Sequence, residues 1–179
     1  GNVADWRLFE RGGYVTELEW RYKAFGRDGQ LKGGLFLNST FSGAYADAVA
    51  QANTLGVTAD NTIQQTRQTR TKYGYYLNLQ QQLSDDIGVF ARWSWNNGQS
   101  EIMAFTDIDR SLSGGLSIKG TAWGRPDDRI GIGGAINMLS TEHAAFFAAG
   151  GLGPLVGDGQ LPNYQAEKVF ETYYAFQMT

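Results

Sequence analysis

The sequence predicts an all-β protein built as an antiparallel up-and-down sheet. Seven segments alternate between apolar and polar residues with a period of two, which is the spacing of side chains on the two faces of a β-strand. Short and long connections alternate between these segments, so the two ends of the sheet are unlike. The composition agrees, because 24 Gly and 13% aromatic residues with only 3 Pro suit strands and argue against disorder.

The seven predicted strands follow one another along the chain. The first is the most regular, since Leu18, Trp20 and Tyr22 alternate with charged residues. The seventh is less regular and puts Tyr173 on the polar side. The outermost apolar residues of the seven segments are Tyr14 and Ala24, Leu31 and Phe41, Tyr73 and Leu83, Ile87 and Trp95, Leu112 and Ala122, Ile130 and Met138, and Phe170 and Met178.

Three short turns and three long loops connect the strands. The turns are predicted at Gly26–Gly29, Ser84–Asp86 and Gly124–Asp128, and the loops at Ser42–Arg70, Asn97–Ile108 and Ser140–Gln165. Two of the loops carry helix signals. Residues 44–56 are rich in Ala and end in Gly, and residues 140–151 offer Ser140 as an N-cap before a Gly-Gly stop. Short helices are therefore expected at the long-loop end of the sheet, where they could fold over a barrel mouth.

Strand length and aromatic placement favour a transmembrane barrel. The predicted strands are about 10 to 12 residues long, which exceeds the usual length in soluble sheets and matches a tilted crossing of the hydrocarbon layer. Tyr73, Tyr75, Trp93 and Trp95 are expected to cluster at the long-loop edge, and with Trp20 and Tyr22 they form a predicted lipid-facing aromatic girdle.

A closed bacterial barrel has an even number of strands, whereas seven are predicted. Residues 1–179 are therefore expected to be a single domain that forms part of a longer barrel. No run of about 18 apolar residues and no signal peptide is visible.

Two other interpretations remain open at this stage. In a soluble sheet the apolar faces would form a shared core, and the alternation alone does not decide between core and lipid. A non-transporting surface protein could bind carbohydrate through its aromatic residues. In either alternative Trp20, Tyr75, Trp93 and Trp95 would be buried between two sheets, whereas in a barrel they would be exposed on the outer side.

The stretches WGRPDDRIGIGGAINMLSTEH (residues 123–143) and AAGGLGPLVGDGQLPNYQAEKVFETYY (residues 148–174) together resemble the carbohydrate-selective porin (OprB) family. The resemblance is tightest over residues 112–174 and continues more loosely from Gly13. It implies an outer-membrane porin of a Gram-negative bacterium with about sixteen strands, a size that leaves an aqueous channel. It further implies passive diffusion of monosaccharides and narrowing of the channel by inward loops. No cofactor is predicted. The partners would be sugars, outer-membrane lipid and the remaining strands of the barrel, with an oligomer possible.

A sugar-selective pore needs polar side chains at its water-filled lumen. Arg and Glu can form paired hydrogen bonds with neighbouring sugar hydroxyls. For any one residue the alternative is a charge that solvates the lumen or pairs across strands. The candidate pore-lining residues are Glu17, Glu19, Arg21, Lys23, Arg92, Lys119, Arg129, Glu167 and Glu171.

The other chemical motifs are weak. Asp127 and Asp128 follow Pro126 and are expected to serve a turn, and Asp107 with Asp109 is a poor signal for Ca²⁺. The Gly-rich stretch 150–159 predicts a tightly packed loop. His143 is the only His and is expected to pack or to contact a helix end. Without Cys or a G-x-S-x-G motif no catalytic triad is predicted, and no metal site is predicted. The net charge of -3 gives no support to nucleic-acid binding.

Overall fold

The computed structural model describes residues 11–102, 107–153, 161 and 163–178. Seven strands form one sheet in the order β1 to β7, and each strand is antiparallel to the next. The all-β, up-and-down prediction is confirmed. The strands are β1 (Gly12–Ala24), β2 (Arg27–Ser42), β3 (Gln68–Gln82), β4 (Ile87–Asn96), β5 (Arg110–Gly120), β6 (Arg125–Met138) and β7 (Glu167–Ala175).

The register keeps the two residue classes on opposite faces across the whole sheet. One row of paired residues runs Arg21, Gln30, Gln80, Phe90, Gly115, Gly133 and Glu171 from β1 to β7. A row on the other face runs Leu18, Gly33, Leu77, Trp93, Leu112, Ile136 and Lys168. Because side chains alternate along a strand, the sheet has one polar face and one apolar face.

The first turn is tighter than the sequence predicts. Gly26–Gly29 was the predicted turn, but Ala24 pairs with Arg27 and only Phe25 and Gly26 lie between the strands. Both residues have positive φ, 54° and 75°, as a two-residue type I′ hairpin turn requires. The Arg-Asp-Gly residues that follow consequently belong to β2.

The third turn also differs from the prediction, which placed it at Gly124–Asp128. A 3₁₀ turn at Thr121–Trp123 reverses the chain, and β6 begins at Arg125. The register shifts here, since Lys119 pairs with Arg129 but Gly120 pairs with Arg125. The extra residues on β6 form a bulge, which accommodates Pro126 because proline has no N–H for the strand ladder.

The helices form a small core of their own at the long-loop end. They are α1 (Tyr45–Leu55), α2 (Asp60–Ile63), a 3₁₀ turn (Gln64–Thr66) and α3 (Thr141–Ala148). We call residues 43–67 and 139–153 the helical cap. Its buried side chains are Tyr45, Ala48, Ala52, Ala59, Ile63, Phe146 and Phe147. The two predicted helices are confirmed, with Ser140 accepting a hydrogen bond from the His143 N–H as N-cap, while α2 lies in a segment predicted to be loop.

The cap is joined to the long-loop end of the polar face. Arg70, on that face of β3, donates to Asp47 on α1, and Leu139, just after β6, packs against the buried cluster. Lys72, also on that face, donates to the Ser100 carbonyl in the β4–β5 loop. The cap and the β4–β5 loop are therefore both bonded to side chains of the polar face. No helix in the described residues is long and apolar enough to cross a membrane.

Candidate functional site

The nine candidate residues all lie on the polar face of the sheet. Their positions in the register have the same parity as the row that contains Arg21 and Glu171. They do not form one cluster, because they are spread over β1, β4, β5, β6 and β7. The polar face is therefore an extended surface and not a compact catalytic site.

A charge cluster occupies β1 and β2. The Lys32 Nζ lies 3.0 Å from Glu19 and 3.5 Å from Glu17, and the Arg21 Nε donates to Glu19 at 2.5 Å. The Tyr76 hydroxyl on β3 donates to Glu17 at 2.5 Å. Sequence reasoning missed Lys32 and Tyr76 as partners, although their parity already placed both on this face. Glu17 and Glu19 are thus paired across strands, whereas Arg21 is paired with Glu19 within β1.

The other candidates have fewer partners. The Lys23 Nζ lies 3.0 Å from Asp28, and Glu167 accepts a hydrogen bond from Asn137 at 2.7 Å. Lys119 and Arg129 face each other directly across β5 and β6. Within the described residues neither of these cations forms an ion pair, and the same holds for Arg92 and Glu171.

Aromatic rings on the polar face lie over glycines of the neighbouring strand. Each ring is directly opposite its glycine in the register, and a Cβ at that glycine would overlap the ring. The alternation in the sequence drew attention to aromatics on the apolar face and did not reveal these pairs. The four pairs are Tyr76 over Gly34, Phe36 over Gly74, Phe90 over Gly115 and Tyr173 over Gly131.

The apolar face is exposed, and aromatic residues lie toward both ends of it. Leu18 is 77% exposed, Trp20 61% and Trp93 41%, and the described residues contain no second sheet that could cover them. The four aromatics predicted to cluster at the long-loop edge do so, with Tyr75 stacked on Trp95 at 5.2 Å and against Trp93 at 5.1 Å. Within the described residues these aromatics are therefore not buried between two sheets.

The short-turn end of the apolar face has its own aromatics. Trp20 and Tyr22 lie near that end of β1, with ring centroids 5.2 Å apart. Trp123 donates to the Tyr174 hydroxyl at 3.1 Å, and Tyr174 in turn donates to Asp128. Asp128, which is 1% exposed, also accepts hydrogen bonds from Arg125 and the Gln177 N–H. The six predicted girdle residues thus divide between the two ends.

One acidic residue ties the cap to the β4–β5 loop. Glu101 receives two hydrogen bonds of 2.8 Å from Arg67 and one of 2.6 Å from the Gly43 N–H. Partial burial favours the neutral acid, but these donors outweigh it and hold the pKa of Glu101 below its ordinary value. The Glu101 carboxylate also raises the pKa of Arg67. The two side chains therefore remain charged. We call the contact of Glu101 with Arg67 and Gly43 the tether.

His143 is buried in the cap, as its predicted packing role requires. Its Nδ1 lies 2.8 Å from Asp109 Oδ2, its ring stacks on Tyr45 at 4.4 Å, and Asp109 accepts from the Ser140 N–H at 2.9 Å. Burial opposes ionisation of Asp109, yet the contacts with His143 and Ser140 lower its pKa. Burial is also the main cause of the raised pKa of Tyr45.

The two acidic residues of the Asp107–Asp109 motif lie on opposite sides of His143. Asp107 lies on the other side of His143, so the Asp107–Asp109 pair flanks an imidazole, and the described residues contain no group of three ligands suited to a metal. In the Gly-rich stretch, Gly151 and Gly153 pack closely on Phe146 and Phe147, while residues 154–160 lie outside the described part.

Two comparisons with known proteins agree with this fold. The family model described as carbohydrate-selective porin, OprB family, matches residues 2–179. A structure of Pseudomonas putida OprB at high pH superposes with a TM-score of 0.70 at 21% identity, covering 93% of this chain and 40% of that one. This likeness shows the fold and shows that the chain spans less than half of that relative's length. No curated protein matches the chain in sequence.

The family is one of channels and not of enzymes, and its members lie in the bacterial outer membrane. The two-faced up-and-down sheet agrees with the family match over nearly the whole chain. The chain belongs to the carbohydrate-selective porin (OprB) family.

Proposed function

We propose that this chain is one wall of a transmembrane β-barrel whose polar face lines a water-filled channel for monosaccharides. The observation that carries the proposal is the seven-stranded sheet with an exposed apolar face and a continuous polar face. An exposed apolar surface of this size is stable only against another apolar phase, and the aromatics toward both of its ends suit the two membrane interfaces.

The two edges of the sheet support the same proposal. In the described part β1 and β7 each pair with a single neighbour. Unpaired backbone groups cannot remain in hydrocarbon, so both edges need further strands. The chain covers 40% of the Pseudomonas putida structure. If the full-length protein is of similar size, the rest of it is long enough to supply the strands that close a barrel. We infer that residues 1–179 form a single domain with those strands.

The nine candidate residues would then line the lumen, and the cap would narrow its mouth. Their charges are of both signs, which suits neutral polyhydroxy solutes better than ions of one sign. Passive selectivity follows from the pore diameter and from the donors and acceptors that line it. Sites must be weak for flux to continue, so millimolar and not micromolar affinity is the expectation.

Single-channel recording of the full-length protein in planar bilayers tests the proposal. Addition of D-glucose should reduce the ion current reversibly and in a concentration-dependent manner, because a sugar in the lumen excludes electrolyte. A panel of monosaccharides and disaccharides should block to different extents. Channels whose current no sugar alters would contradict sugar selectivity and leave a general porin, and absence of channels would contradict the transport function itself.

A further inference from the structure

The polar face of β5 and β6 has a strip without large side chains. Gly115 and Gly133 pair directly with each other, and Gly131 lies two residues before Gly133 on β6. The floor of the sheet is therefore backbone over this area. This area forms part of the floor of an open groove of about 840 Å³ that is lined by residues from Arg21 on β1 to Tyr173 on β7.

Two aromatic rings cover the glycines on either side and leave Gly133 open. Phe90 covers Gly115, and Tyr173 covers Gly131. A Cβ at Gly133 would meet nothing closer than the Gly114 oxygen at 3.5 Å and the edge of Phe90 at 3.8 Å. We call this opening, with Phe90 and Tyr173 beside it, the Gly133 recess. Its floor is polar backbone, and two of its sides are aromatic.

Charged groups of both signs stand at the rim of the recess. Glu171 is directly opposite Gly133, and the Arg92 guanidinium lies 5.3 Å from the centroid of Phe90. Neither forms an ion pair within the described residues. The carboxylate can only accept hydrogen bonds and the guanidinium can only donate them, so together they offer both functions to a ligand.

Tyr173 presents a platform. One side of its ring lies against Gly131, and Tyr173 is also among the residues that line the groove. An aromatic surface beside hydrogen-bonding groups fits a ligand with one apolar face and a polar rim. A pyranose ring has this form, since its C–H groups project from its faces and its hydroxyls from its edge.

We infer that the Gly133 recess binds a single pyranose ring, with its C–H face on Tyr173 and its hydroxyls bonded to Glu171 and Arg92. The inference rests on the proposed channel function and names the place of contact within it. The opposite charges of Glu171 and Arg92 leave the site near neutral, which favours a neutral sugar over an anionic one. Because the recess opens along the groove, the sugar can leave as readily as it enters.

Substitutions at Tyr173 test the platform. In the full-length protein in planar bilayers, the current noise that D-glucose induces gives its binding constant. Tyr173→Leu should weaken glucose binding about tenfold, the size expected for loss of one strong contact. Tyr173→Phe keeps the ring and should bind glucose nearly as the wild type does. Sorbitol, an open-chain hexitol, should bind weakly to all three proteins, because it lacks the flat ring.

A second pair of variants tests the opening itself. Gly133→Val places a branched side chain in the recess without backbone strain, and it should abolish most glucose binding while channels still form. Gly13→Val is the matched control, since Gly13 lies on the same face of β1 with no atom within 4 Å except Leu37 O at 4.0 Å. The control should leave glucose binding unchanged.

The outcomes separate the two proposals. If the wild type conducts but glucose induces no noise, sugar selectivity fails and the recess has no ligand. If the wild type binds glucose and neither Tyr173→Leu nor Gly133→Val weakens that binding, the recess is overturned while sugar selectivity stands. Equal loss in Gly13→Val and Gly133→Val would also overturn it, because general narrowing of the pore would then explain the effect.

Discussion

At the scale of single residues, Glu101 joins three segments through one carboxylate. It binds Arg67 after the 3₁₀ turn and the Gly43 N–H at the start of the cap, while its own N–H donates to the Gly43 carbonyl at 2.9 Å. Charge-assisted hydrogen bonds to a partly buried group are stronger than neutral ones. The attachment of the cap to the β4–β5 loop therefore depends on the charge of Glu101.

This charge gives the tether a pH dependence. The folded pKa of Glu101 lies below its ordinary value of 4.5, so the stabilisation is complete above that pH and is lost as the pH falls through the lowered pKa. We expect the hydrogen-exchange protection factors of the Gly43 and Glu101 amides to fall over this acidic range. Mass spectrometry of exchange in detergent micelles measures them, with correction for the intrinsic pH dependence of exchange.

Glu101→Gln should lower the same protection factors about tenfold at neutral pH and remove their acid dependence, since the amide lacks the charge. Asp47→Asn is the control, because Asp47 is an exposed partner of Arg70 and contributes little. An acid dependence that persists unchanged in Glu101→Gln would show that another group carries it.

At the scale of elements, two adjacent glycines on β2 have different roles. Gly34 lies on the polar face beneath the Tyr76 ring. A Cβ at Gly33, on the other face, would lie 3.3 Å from the end of Leu77 and 4.0 Å from the Tyr76 carbonyl oxygen. The Tyr76 ring over Gly34 also brings its hydroxyl to Glu17. The packing of a ring on a glycine therefore fixes both a cross-strand contact and a hydrogen bond.

Gly34→Ala should lower the free energy of unfolding by about 1–3 kcal/mol, because Tyr76 must move and lose its bond to Glu17. Gly33→Ala is the matched control, because it replaces the same residue type in the same strand. The flexible Leu77 side chain can move aside, so this variant should lower the free energy of unfolding by less than about 1 kcal/mol. Urea titration of the micelle-bound protein measures both. Equal costs for the two variants would contradict the role assigned to the ring.

The alternation of side chains made the strands predictable, whereas their ends were not. A period of two was enough to separate Leu18 and Trp20 from Glu17 and Glu19, because it depends on backbone geometry alone. The first turn was misplaced because Phe25 adopts a positive φ that its residue type does not suggest. The third turn was misplaced because the bulge around Pro126 belongs to β6, which already begins at Arg125.

The sequence predicted which residues lie on the polar face but not which of them contact one another. Parity placed all nine candidates correctly on one side, but the pairing of Glu17 and Glu19 with Lys32 depends on strand register, which the sequence does not state. The aromatic–glycine pairs were missed for the same reason. Whether Phe90 lies over a glycine or a larger residue is decided by its partner on β5.

At the scale of the whole molecule, the sheet has two unlike faces. Its polar face carries the helical cap and the charged residues, and its apolar face carries exposed Leu, Ile and aromatic side chains. In a soluble protein such an apolar face would be covered, yet the buried apolar cluster lies among the helices and not against the sheet. The arrangement is explained if lipid covers the apolar face and water the polar face.

Thiol labelling along β3 tests this claim most directly. The chain has no Cys, so a single thiol introduced here reacts without background from these residues. Leu77 and Leu79 lie on the apolar face, and Asn78 and Gln80 on the polar face. In outer membranes, a water-soluble maleimide should label Asn78→Cys and Gln80→Cys but not Leu77→Cys and Leu79→Cys, which a lipid-soluble reagent should label. Labelling of all four positions alike, or of the Leu positions alone by the water-soluble reagent, would contradict the account.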